Sequence, residues 1–178
     1  MPPIMGIMAS AISGNLSSYE SIATTTLTSG QTTITFSSIP STYTHLQLRV
    51  SALTPNWMTL TCNGVTSSGN YFGHELRGDG ASAISQSLIS YNTAYAWIAL
   101  SYNSTTPTVS VIDVLDYADT NKYKTIRSLS GNDINGGGFI QLTCNAFAST
   151  NAISSISITS SSTNFLTNSS FALYGIKG

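Results

Sequence analysis

From Thr44 to Leu53 the chain alternates with a period of two. Leu46, Leu48, Val50 and Ala52 fall on one side and His45, Gln47, Arg49 and Ser51 on the other, the pattern of a strand with one buried face. Shorter runs of the same grammar predict strands near Ile22–Leu27, Thr32–Ser37, Trp57–Cys62, Tyr71–Arg77, Tyr95–Tyr102, Thr108–Asp116, Tyr123–Ser130, Phe139–Phe147, Ile153–Thr159 and Phe171–Ile176. Clusters of Gly, Asn, Ser and Pro separate them at roughly ten-residue intervals, the spacing of an antiparallel sandwich or barrel, and no segment sustains a helical period. Around Val109, Val111, Ile112 and Val114 the alternation changes phase, which predicts a bulge or a strand buried on both faces. So many strands exceed what one flat sheet holds. The expected fold is all-β, an antiparallel two-sheet sandwich that is jelly-roll-like.

Turn chemistry divides the pattern. Gly30, Asn63-Gly64 and Gly78-Asp79-Gly80 are expected to close hairpins, and Asn132 to Gly138 to form a longer loop. Residues 1–18, MPPIMGIMASAISGNLSS, carry no charge and no alternation, so they read as a short extended N-terminal arm before a single domain spanning 19–178. The apolar run Ile4 to Ala9 is shorter than a secretory signal's core, and no basic residue precedes Arg49. Nothing approaches the roughly 20 apolar residues that span a bilayer, so synthesis in the cytoplasm and no membrane partner are expected. Ile4, Met5, Ile7, Met8, Ile12 and Leu16 are the candidate attachment residues of the arm. Burying each contributes roughly 1.5 to 3 kcal/mol. Ordering the backbone costs roughly 1 to 2 kcal/mol per residue. Anchoring the arm therefore also needs backbone hydrogen bonds to a neighbour, as when an extended segment lies along a partner's sheet edge.

Composition changes the picture of the surface. Charged residues make up 7% of the chain, against roughly 25% in an average globular protein, and Ser and Thr take their place. With a formal net charge of -1, copies of the chain repel one another little. Strand edges without Lys between residues 19 and 60 invite pairing, so a homo-oligomer, a homotrimer in the first instance, is expected. The 6 basic residues are scattered from Arg49 to Lys177, which argues against nucleic acid, and Lys122, Lys124 and Arg127 read as a solvated strand face. Cys62 is in phase with Met58 and Leu60, and Cys144 with Ile140, Leu142 and Ala146, so both are expected to be buried free thiols.

Material for catalysis is thin. His45 and His74 are the only histidines, no G-x-S-x-G elbow is present, and no enzymatic activity is expected. Asp113 and Asp116 are odd-spaced on one strand, which points them to opposite faces rather than across a glycosidic bond. Asp133-Ile134-Asn135-Gly136 echoes the start of a calcium loop without its closing ligands, so a turn is the simpler reading and no metal or cofactor is expected. Arg77-Gly78-Asp79 spells an adhesion tripeptide, but a turn alone accounts for Gly and Asp there. Tyr71, Tyr91, Tyr95, Trp97 and Tyr102 are candidates for a sugar-stacking platform, with core packing as the competing use of the same rings.

Three segments carry a family resemblance: Ser18-Tyr19-Glu20-Ser21-Ile22-Ala23, Phe36 through Arg49 (FSSIPSTYTHLQLR), and the ending Leu173-Tyr174-Gly175-Ile176-Lys177. With His74-Glu75-Leu76-Arg77-Gly78-Asp79-Gly80, they resemble the small structural proteins of tailed bacteriophages, cyanophages especially. The resemblance implies a jelly-roll-like subunit on the virion surface. One form of it is a capsid decoration or cement protein against the major capsid protein; the alternative is a tail- or fibre-associated receptor-binding protein that recognises host surface glycans. A single domain with a short arm and no repetitive shaft favours decoration. The shared motifs are strand and turn grammar and bring no catalytic residue.

Overall fold

The computed structural model describes residues 18–54, 56–94 and 105–178, and its regular structure there is entirely strand. In chain order the strands are β1 (Tyr19–Thr26), β2 (Thr33–Phe36), β3 (His45–Ala52), β4 (Met58–Cys62), β5 (Tyr71–Gly78), β6 (Ala83–Tyr91), β7 (Thr108–Leu115), β8 (Lys124–Asp133), β9 (Gly138–Phe147), β10 (Ile156–Ser160) and β11 (Ser170–Ile176). An 8-stranded antiparallel sheet runs β1-β11-β3-β7-β8-β9-β5-β6, and a 3-stranded one runs β2-β10-β4. The expected two-sheet sandwich is what the chain builds.

The small sheet exists because its strands alternate. Ile34, Phe36, Met58, Leu60, Cys62, Ile156 and Ile158 point inward, where they meet Leu46, Leu48, Val50, Ile112, Val114, Phe171 and Leu173 of the large sheet in one continuous core. Its outer face is tied by hydroxyls, Thr33 to Thr159 at 3.1 Å and Thr35 to Ser157 at 2.9 Å.

Several sequence expectations are corrected. Asn63-Gly64 closes no hairpin, because it lies between β4 in the small sheet and β5 in the large one, and Gly30 closes none either, because it lies in the connection from β1 in the large sheet to β2 in the small one. The preceding Leu27 draws the chain into the core, its side chain buried and its backbone bonded to Ser169 and Asn168. The segment from Asn132 to Gly138 is a tight turn rather than a long loop, with Ile134 N–H on the Gly137 carbonyl at 3.0 Å and Asn135 and Gly136 both at positive φ. Strand β7 has no bulge, since its register with β3 and β8 is unbroken, and it is not buried on both faces. Ile112 and Val114 point in while Val109 and Val111 point to solvent. Strand β6 forms where the sequence pattern predicts none. The strand expected at Tyr95–Tyr102, and the arm with Ile4, Met5, Ile7, Met8, Ile12 and Leu16, lie outside the described residues.

Candidate functional site

The outward valines of β7 belong to a larger pattern. Register places Val111, Leu129, Leu142 and Leu76 side by side across β7, β8, β9 and β5, and places Val109, Gly131, Ile140 and Gly78 in the next row. Val109, Val111, Leu129, Ile140, Leu142 and Leu76 are each between 41% and 62% exposed. A third row, Asp113, Arg127, Cys144 and His74, borders the band with polar groups. Arg127 Nη2 donates to Asp113 Oδ2 at 2.7 Å and Gln47 Nε2 to Asp113 Oδ1 at 2.9 Å.

Directly behind these two apolar rows, the inward side chains of the same four strands are mostly polar, Ile112 excepted. Glu75, 3% exposed, accepts from Gln86 Nε2 at 2.7 Å and Gln141 Nε2 at 2.6 Å. Ser128 bonds Thr143 at 2.5 Å and Ser110 bonds Ser130 at 2.7 Å away from water, while among the described residues the buried Gln141 Oε1 finds no partner. This half of the sheet thus reverses the usual order, with amides and hydroxyls inside and aliphatic side chains outside.

The reversal corrects the reading of Cys144. It is in phase with Ile140 and Leu142 as expected, but that phase faces solvent, so Cys144 is an exposed free thiol while Cys62 is a buried one. Burial pushes the Cys62 thiol up to about 12. A thiol-specific reagent at neutral pH should therefore modify Cys144 in the native protein and reach Cys62 only on unfolding. Mass spectrometry of the labelled peptides reads this directly, and comparable labelling of both sites would contradict the assignment.

The three segments that carry the family resemblance converge at one corner. Arg49 lies 5.4 Å from the Tyr19 ring centroid and 4.8 Å from that of Tyr174, a cation held between two π faces. Lys177 pairs with Glu20 at 2.7 Å, which holds the Glu20 carboxyl below its usual range. Tyr43 packs directly over Gly175, where a Cβ would fall 2.3 Å from its ring. These motifs tie the edge strand β1 to β11 and β3.

The other candidate residues have structural uses or fall outside the described chain. Tyr71 is fully buried, stacked on Phe147 with centroids 5.0 Å apart and its hydroxyl against the Cys62 amide, so it is core and no sugar platform. Only the backbone of Tyr91 is described, opposite Tyr71, while Tyr95, Trp97 and Tyr102 lie outside the described residues. Lys124 is not part of a solvated face but is buried, its ammonium turned onto backbone carbonyls. His45 Nδ1 accepts the Asp116 amide at 3.0 Å and so ties the start of β3 to the end of β7, and His74 is exposed beside Cys144. Asp79 of the adhesion-like tripeptide caps the amides of Ala81 and Ser82 at 2.9 and 2.7 Å, which lowers its pKa and accounts for its presence in the turn. Asp133 bonds the Asn135 amide in the same way at 2.8 Å.

No protein-family model matches the chain, and comparison with curated proteins and with solved structures returns no match. Function has to be read from the surface just described.

Proposed function

We propose that this chain is a virion structural protein, a capsid decoration or cement subunit held to the particle through residues 1–18 and displayed on its surface. The observation that carries the reading is the pair of apolar rows on the solvent side of β7, β8, β9 and β5. An exposed aliphatic band of that extent, rimmed by polar groups, is the mark of a surface that another protein covers. The charges support it. Lys122 pairs with Asp116, Arg127 with Asp113 and Lys177 with Glu20, each at 2.7 Å, so little field remains to keep neighbouring subunits apart. The resemblance to tailed-phage structural proteins supplies the kind of assembly, a particle whose major capsid protein is the neighbour. In this reading the arm, with Ile4, Met5, Ile7, Met8, Ile12 and Leu16, lies along an edge or groove of that neighbour, while homo-oligomer contacts form between β-domains.

Deleting residues 2–17 tests the proposal. The truncated chain should remain folded and soluble, because the core is built from residues of the β-domain, and should be lost from purified particles, with occupancy measured by gel densitometry and by density on the intact particle. Wild-type occupancy of the truncated chain would show that the arm is not the anchor. Absence of the full-length chain from particles would overturn the virion reading itself.

A further inference from the structure

We infer that the apolar band is covered by a second copy of this chain, packed face to face about a two-fold axis that lies in the interface, parallel to the strands and between β8 and β9. The inference rests on the reading of this face as a protein-contact surface and names its occupant. Rotation about that axis lays β8 of one copy over β9 of the other and β7 over β5, and it keeps every residue in its own row.

The rows are complementary to themselves under that operation. In the row Val109, Gly131, Ile140, Gly78, the most exposed large apolar side chain, Ile140 at 62%, stands between two glycines. A hollow of about 650 Å³ borders it at Gly131, lined by Val109, Val111 and Leu129, and one of about 330 Å³ borders it at Gly78, lined by Leu76 and Leu142. The two-fold axis sets the second copy's Ile140 over the first hollow and its Val109 over the second. In the next row Leu129 meets Leu142 and Val111 meets Leu76. In the polar row the Asp113 carboxylate faces the imidazole of His74. An axis along β9 would instead stack Ile140 on Ile140 and leave both hollows empty.

Area agrees with this occupant. The six residues leave on the order of 500 Å² of mostly apolar surface in water, within the range for the largest patch on a monomer and over half of the roughly 800 Å² that one partner gives to a standard-size interface. Two twisted sheets pack well in this aligned manner. A net charge of -1 per copy opposes the approach only weakly. One patch that meets its own counterpart closes as a pair, so the solution unit is a dimer in place of the trimer expected from composition.

Sedimentation velocity of the full chain at micromolar concentrations should show a dimer, and Ile140→Asp should be monomeric, its dissociation constant raised roughly thirtyfold or more. Ile140 is mostly exposed, so the thermal midpoint of the monomeric variant should match that of a wild-type monomer at dilution, which separates lost association from lost folding. In a Cys144→Ser background, a short bis-maleimide should link Val109→Cys/Gly78→Cys chains into dimers but neither single variant. Within one chain those positions are separated by two strands, so the link reports the second copy. A wild-type monomer, a trimer, or an Ile140→Asp chain that still associates would overturn the inference. Particle occupancy is read separately: a dimer that is absent from particles refutes the virion reading and leaves this one standing.

Discussion

Gly175→Ala should destabilise the protein by at least about 3 kcal/mol and lower its thermal midpoint by roughly 10 °C. Gly175 sits within β11, between β1 and β3, where glycine is otherwise a poor choice for a strand. Its reason is Tyr43, whose Cγ, Cδ1 and Cδ2 all lie within 2.4 Å of where a Cβ would stand. The collision is with the root of the ring rather than its tip. Tyr43 is also fixed from behind, because Tyr117 Oη donates to the Pro40 carbonyl and accepts from the Tyr43 amide. That bond pins the backbone from which the ring springs, and Cγ, the ring atom nearest it, is the one that a Cβ would strike. A double-mutant cycle tests this cause: once Tyr43→Ala has opened the space, the added cost of Gly175→Ala should fall to about 1 kcal/mol or less. Full additivity of the two changes would mean that the clash is not the source.

Lys124→Met should cost about 3 kcal/mol or more, although it replaces a charged side chain with an apolar one of similar length. Lys124 is 0% exposed, and its ammonium donates to the backbone carbonyls of Asp119, Lys122 at 2.8 Å and Thr150 at 3.2 Å. Those carbonyls come from two different loops, so the lysine is the joint between them, and methionine would leave them without a donor. Denaturant unfolding of the variant reads the loss; a change within about 0.5 kcal/mol, the scatter of neutral surface substitutions, would refute it. Burial also lowers the pKa of Lys124 from its ordinary value of 10.5. The unfolded chain then binds this proton more tightly than the folded one. The lysine's contribution to stability therefore rises as pH climbs from its lowered pKa toward 10.5, and in the Lys124→Met variant that slope should be absent.

The strands were legible because alternation is local, and the fold class followed from their number. Which face of a strand turns inward was not. Strand β9 alternates cleanly, yet the pattern Ile140, Leu142, Cys144 against Gln141, Thr143, Asn145 is the same whether the aliphatic set is core or interface. What decides it is the company each set keeps across β5 and β8, where Glu75 and Ser128 meet Gln141 and Thr143. The phase change in β7 was the one local sign: Val109 and Val111 are apolar on the side where Asp113 is polar, which marks a second apolar surface rather than a bulge. Strand β6 escaped notice because Ser85, Gln86 and Ser87 break its apolar run, and among the described residues it is the last strand of the sheet and pairs on one side only. Tyr43 and Gly175 are 132 positions apart in the chain, and nothing local to either announces the other.

The two ends of the described chain give the subunit a polarity. Ser18 accepts the Lys177 amide at 3.1 Å and Tyr19 pairs with Ile176, so entry and exit share one end of the large sheet. The glycine-containing turns that join β5 to β6 and β8 to β9 lie at the other end, beside the start of β7. If the arm grips a particle, the C-terminus is turned toward the shell, and the segments Gly78 to Ser82 and Ile134 to Gly137 form the outermost rim that the surrounding medium meets first.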